Sequence, residues 1–198
     1  AAAHRRFSSV GLEVYPMTEG EYGELVAAGC DMLTLYQETY HRPTYAAVHP
    51  GGPKRDFEGR LDAPLRAAAA GMRAVSIGAL LGLADWRAEG MFLGLHGQLV
   101  RRRSWRTRLS IGFPRLRDDP GAGVPLAPLA ERELTQLVCA LRLFFPDADL
   151  VLSTREPAWF RDGMVGLGVT RMSAGSCTSP GGYAGGAEAG EQFTITDD

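Results

Sequence analysis

Short apolar runs alternate with helical segments along this chain, and that alternation limits its fold more than any other feature. Val10–Tyr15, Met32–Tyr36, Ala74–Leu81, Leu109–Phe113, Leu150–Ser153 and Val169–Ala174 read as strands. Runs apolar on both faces need cover on both sides, which means a parallel sheet wrapped by helices. No G-x-G-x-x-G or other Gly-rich phosphate loop follows the first strand, so a dinucleotide-binding fold is disfavoured. The expected fold is α/β: a partial parallel TIM-type (β/α) barrel of about six βα units, with its chemistry at the C-terminal ends of the strands.

The helices carry their own start and stop signals. Thr18 with Glu21 three residues on forms a capping box for a helix that ends at Gly29. Asp56 opens a helix running to about Ala70, and further helices span Ala84–Arg103 and Ala130–Phe145, the last ending before Pro146. A short helix lies around Pro157–Gly163. Tyr40–Pro53 reads as a loop longer than an ordinary βα connection, which points to function. Asp118–Pro128 is Pro/Gly-rich loop, and about 175–198 is a loop-rich tail on what reads as a single domain, 1–198.

Charge and cysteine usage exclude several classes. A net charge of −2 leaves no electrostatic footprint for nucleic acid or an acidic membrane. Arg101–Arg103 ends a helix, where cations suit the dipole. The three cysteines, Cys30, Cys139 and Cys177, form no C-x-x-C pair and no zinc spacing, so no metal ligands are expected in this chain. Neither a long apolar run nor a signal core is present, and a cytoplasmic location is expected.

The strand ends suit a small polar ligand. Gln37 and Glu38 after the second strand could bond a vicinal diol, because a carboxylate accepts two hydroxyl protons. Arg155 after the fifth strand, and Arg60 on the following helix, offer bidentate forks to carboxylates. Gly78 and Gly82 let a ligand approach the backbone. A diol-bearing nucleoside with one or two amino-acid carboxylates would use all of these groups. Rim salt bridges of Glu38 with Arg42 or Arg60, and of Arg155 with Glu156 or Asp162, are the competing structural readings.

Several runs together resemble the radical-SAM tyrosine lyases, the ThiH family of thiamine biosynthesis. They include Glu13-Val-Tyr-Pro16, Tyr36-Gln-Glu-Thr-Tyr-His41, Arg42-Pro-Thr-Tyr45, Gly78-Ala-Leu-Leu-Gly-Leu83 and Asp85-Trp-Arg87. They continue with Phe113-Pro-Arg-Leu-Arg117, Leu152-Ser-Thr-Arg-Glu156, Trp159-Phe-Arg-Asp162 and Pro180-Gly-Gly-Tyr183. The resemblance implies S-adenosylmethionine and a [4Fe–4S] cluster as cofactors. It implies cleavage of the Cα–Cβ bond of L-tyrosine to 2-iminoacetate and p-cresol, with tryptophan left open as a substrate, and a possible thiazole synthase partner.

By the same resemblance, Gln37 and Glu38 face the adenosyl ribose and Arg60 the methionyl carboxylate, while Ile77, Gly78 and Leu80 line the adenine. Arg155 and Ser173 anchor the tyrosine carboxylate, with Arg115 and His41 also on the substrate side. The family's C-x-x-x-C-x-x-C is absent. The chain is therefore expected to be a fragment holding roughly the third to eighth barrel strands, inactive alone and prone to self-association through open sheet edges. The tyrosine lyase of iron–iron hydrogenase maturation, and a non-catalytic degenerate barrel that binds a partner, are the alternatives.

Overall fold

A computed structural model describes residues 3–116 and 127–173. Six strands form one sheet in the order β1-β2-β3-β4-β5-β6: Gly11–Glu13, Met32–Thr34, Ala74–Gly78, Arg108–Gly112, Asp149–Leu152 and Arg171–Met172. Every neighbouring pair is parallel. Helices α1 (Glu19–Ala27), α3 (Phe57–Ala69), α4 (Trp86–Arg103), α5 (Glu131–Phe144) and α6 (Ala158–Val165) each lead from one strand to the next, and α2 (Arg42–Val48) adds a turn before α3. Strand order that follows chain order with helical crossovers is a barrel wall, here a curled half-barrel that, among the described residues, is open between β1 and β6.

Alternation along each strand separates two faces. Leu33, Leu35, Val75, Ile77, Leu109, Ile111, Leu150 and Leu152 are all buried. They belong to the core that also takes Ala63 and Ala67 of α3, Leu93 and Val100 of α4, and Leu134 and Val138 of α5. Each such side chain withdrawn from water is worth about 1.5–3 kcal/mol.

The concave face differs from the expectation of strands apolar on both sides. Its lower row pairs Glu13, Thr34, Ser76, Ser110 and Asp149 in register. The next row pairs Gly78 with Gly112 and Gly112 with Val151. Small and polar residues leave room for a ligand where a closed apolar barrel would be filled.

The Thr18 and Asp56 caps act as the spacing predicts, and Asp85 adds one at the start of α4. Thr18 N donates to Glu21 Oε2 (2.8 Å) while Glu21 N donates to Thr18 Oγ1 (3.3 Å). Asp56 Oδ1 accepts from Gly59 N (2.8 Å), and Asp85 Oδ1 from Ala88 N (3.0 Å). The expected loop at 40–53 instead contains α2. His41 is its extended N-cap and a proline stands in the first turn, where a missing N–H costs nothing. Tyr45 then buries its ring and donates its hydroxyl to Lys54 O (2.6 Å), tying α2 to the 3-10 turn Pro53–Arg55. The Asp118–Pro128 loop (apart from its last two residues), Arg117, Ala174, Cys177 and the tail from 175 lie outside the described residues.

Candidate functional site

The concave cleft at the C-terminal strand ends collects most of the expected site residues. Glu38 sits just past β2 with φ 71°, a left-handed backbone that a glutamate rarely adopts. Such strain persists where surroundings over-determine it. Here Glu38 O accepts from Leu80 N (2.6 Å), and Glu38 Oε1 accepts from Arg60 Nη2 (3.0 Å) and Lys54 Nζ (2.9 Å). Arg60, itself buried, also donates Nε to Tyr36 O (2.6 Å). The predicted Glu38–Arg60 salt bridge exists, and Lys54 joins it without any signal in the sequence pattern.

A second support stands behind this loop. Glu89 of α4 is buried and accepts from Thr39 Oγ1 and from Tyr40 N (3.0 Å). Burial pushes its carboxyl up, and those same hydrogen bonds oppose the shift. Tyr40 Oη in turn meets His96 Nδ1 (2.8 Å). Burial pushes the His96 imidazole down to about 4. This Glu89–Tyr40–His96 chain fixes the backbone that follows Glu38. Glu89 carries no signal in the sequence, because a charge on a helix reads as solvent-facing until the neighbouring strand is placed.

On the other side of the cleft, Arg155 follows β5. Its N and Nε donate to Ser153 Oγ (3.2 and 3.5 Å). Ser173, after β6, accepts from Thr154 N (3.2 Å) and lies 3.3 Å from Thr154 Oγ1. Arg155 and Ser173 thus occupy adjacent strand tips.

Four expected residues are placed differently. Gln37 alternates away from Tyr36 into the helix layer, buried, with Nε2 donating to Phe57 O (3.4 Å) and Oε1 lacking a partner among the described residues. Ile77 likewise faces the helices, so only the backbone near it, and not its side chain, can line the cleft. Arg115 is buried and committed to Glu156, Glu131 and Leu129 O, so its fork holds the framework rather than a substrate. His41 is exposed and bonds Thr44 Oγ1 (2.8 Å) at the start of α2. Glu156 therefore pairs with Arg115.

One residue that the pattern did not single out lies at the centre. Tyr36 projects from just past β2 onto the concave face, across Gly78 and Gly112. A cavity of about 620 Å³ lies elsewhere, on the outside between α3 and α4, lined by Leu61, Leu65, Phe92, Leu95 and Leu99.

The residues fit S-adenosylmethionine in part. A strained carboxylate at a strand tip can take a ribose diol, and a glycine-floored cleft admits a planar base. The cluster is different: among the described residues no group of three His, Cys, Asp or Glu side chains could hold a metal.

Comparison with known proteins places this geometry. The 2-iminoacetate synthase of Escherichia coli (strain K12) is 44% identical over 198 residues, all of this chain and 52% of that protein. The chain is a relative of the 2-iminoacetate synthases along its whole length. The Salmonella typhimurium 2-iminoacetate synthase is 42% identical over 194 residues, 98% of this chain and 52% of its own. The chain spans about half the length of these curated relatives.

The Biotin and Thiamin Synthesis associated domain matches residues 112–198. Among solved structures, the [FeFe]-hydrogenase maturase HydG from Carboxydothermus hydrogenoformans superposes with TM-score 0.81 at 31% identity, covering 96% of this chain and 43% of that one. A second HydG structure gives 0.76 at 33% identity, covering 86% and 38%. Methylornithine synthase, TM-score 0.57 at 22% identity over 83% of this chain and 46% of that one, shares the fold. The half-barrel reading and the resemblance to the 2-iminoacetate synthases are therefore both borne out. Among the described residues, no helix is long and apolar enough to cross a membrane.

Proposed function

We propose that this chain forms the larger part of the barrel of a radical-SAM tyrosine lyase. Its reaction cleaves the Cα–Cβ bond of L-tyrosine to 2-iminoacetate and p-cresol, and a thiazole synthase is the partner that would consume the imine. The observation that carries the reading is the pairing of two strand-tip sites across one cleft, Glu38–Arg60 on one side and Arg155–Ser173 on the other, in a chain 44% identical to a 2-iminoacetate synthase.

Within it, Glu38 accepts the ribose hydroxyls and Arg60 presents its remaining N–H groups to the methionyl carboxylate. Gly78 and Leu80 offer backbone to the adenine, and Gln37 and His41 act from behind the loop. Arg155 takes the tyrosine carboxylate with the Ser173 hydroxyl beside it, and Arg115 keeps the Arg155 segment in place through Glu156. Bound S-adenosylmethionine would supply the hydrogen-abstracting group. The chain's own residues hold the amino group near it and keep water out, since orientation is the protein's contribution in cofactor chemistry. The described residues provide no ligand set for the cluster.

The test is anaerobic turnover by the full-length gene product after iron–sulfur reconstitution, with L-tyrosine, S-adenosylmethionine and a reductant. Stoichiometric p-cresol and 5′-deoxyadenosine support the reading; neither product, in a preparation with its cluster loaded, overturns it. The likeness to HydG favours hydrogenase maturation as a second reading. Rescue of a thiamine-requiring strain lacking its own 2-iminoacetate synthase separates the two.

A further inference from the structure

The Tyr36 ring lies flat over two glycines of neighbouring strands. A Cβ on Gly78 would stand 2.8 Å from Tyr36 Cδ1, and a Cβ on Gly112 would stand 2.5 Å from Tyr36 Cζ. Neither position tolerates a side chain while the ring stays where it is. Gly78 and Gly112 are register partners, so the ring starts at β2, passes over β3 and brings its hydroxyl to β4. The next strand, β5, runs about 5 Å further on, and Gly112 pairs there with Val151. Arg155 follows that strand.

The phenol is electrically coupled to both walls of the cleft. Burial pushes it up to about 12, the Glu13 carboxylate adds to the shift, and the Ser76 hydroxyl and the Arg155 guanidinium oppose it. The hydroxyl keeps its proton at neutral pH and remains a donor. Packing over two glycines needs a ring but no oxygen, and a phenylalanine would serve it equally.

We infer that Tyr36 is a substrate-binding residue whose hydroxyl donates to the amino acid held at Arg155, and that the Gly78–Gly112 pair is the seat that sets the height of the ring in the cleft. The inference rests on the reading of Arg155 as a carboxylate anchor. It adds a third contact, from the opposite wall, which fixes the rotation of the amino acid about the Arg155 fork.

Titration calorimetry of L-tyrosine into the full-length gene product tests it, with S-adenosylmethionine affinity measured alongside. Tyr36→Phe keeps the ring and the fold; it is expected to weaken L-tyrosine about tenfold, the usual scale for one hydrogen bond to a charged group, with S-adenosylmethionine unchanged. Gly112→Ala, which lifts the ring into the cleft, is expected to weaken L-tyrosine at least as much, and to have little further effect when Tyr36 is already Leu. A merely structural ring predicts neither the Phe effect nor that lack of additivity. Wild-type L-tyrosine affinity in Tyr36→Phe overturns the inference while leaving the function intact if Arg155→Ala still weakens binding. Absence of L-tyrosine binding by the wild-type protein overturns both.

Discussion

The Glu156 carboxylate grips the Arg115 guanidinium with two hydrogen bonds, Nε to Oε1 at 3.0 Å and Nη2 to Oε2 at 2.5 Å, where both side chains are buried. The pair bridges the segments that follow β4 and β5, and Arg115 Nη1 also reaches Leu129 O (2.8 Å). Breaking a buried pair strands the surviving charge. Arg115→Ala is expected to lower unfolding free energy by about 3–5 kcal/mol in urea denaturation. A loss under about 1 kcal/mol, the range of surface pairs, would remove the framework role.

Glu38 combines a strained backbone with two cationic partners. Glu38→Gln keeps the shape and removes the charge that Arg60 and Lys54 face. We expect S-adenosylmethionine affinity to fall about tenfold or more, since hydrogen bonds to a charged acceptor are worth about 1.5–3 kcal/mol. Equilibrium dialysis with the full-length protein checks this, and an unchanged dissociation constant would place the ribose elsewhere.

Arg155→Lys retains the charge but loses the fork that matches a carboxylate. The substitution should raise KM for L-tyrosine about tenfold or more with a smaller effect on kcat, in line with lost charge-assisted bonding. Equal values of KM in Arg155→Lys and wild type would show that another group anchors the substrate.

His96 makes stability depend on pH. Its folded-state pKa, about 4, lies below the ordinary 6.5. The stability it contributes is present above pH 6.5 and is lost as pH falls toward 4, up to about 3 kcal/mol. Glu89, whose pKa is raised, acts oppositely: its contribution is present at low pH and lost as pH rises through its folded-state value. Replacing His96 by Gln should flatten the stability curve between pH 6.5 and 4, as read by thermal melts. Parallel curves for the two proteins would contradict the shift.

The half-barrel leaves β1 and β6 as sheet edges among the described strands. Exposed edges invite pairing with another chain. The 198-residue chain on its own should therefore run larger than a monomer in light scattering, and a single monomeric species at high concentration would count against that.

Much of the fold was legible because its signals are local. Thr18–Glu21, Asp56 and Asp85 cap their helices by contacts within three residues, and each strand run is short, apolar and separated by a helix. The α2 turn was missed because its stabilising contact, Tyr45 with Lys54, depends on a loop closing back. Glu38 and Arg155 at strand tips, and Arg60 on the following helix, could be named from residue type and position in a parallel βα pattern, and Ser173 from the family resemblance.

Which way each side chain turns was a different matter. Adjacent Gln37 and Glu38 look equivalent in sequence, yet strand alternation sends Gln37 to the helix layer and leaves Glu38 on the cleft. Arg115 and Arg155 look equally able to bind a carboxylate, yet a buried partner 41 residues away claims the first. Gly112 carries no signal of its own in the sequence; its lack of a side chain makes room for the ring of Tyr36 from two strands away. The sequence by itself determined the order of strands and helices, since hydrophobic period and capping act over a few residues. Only the tertiary structure decided the allocation of charges and the seat of Tyr36, because those depend on contacts between strands far apart in the chain.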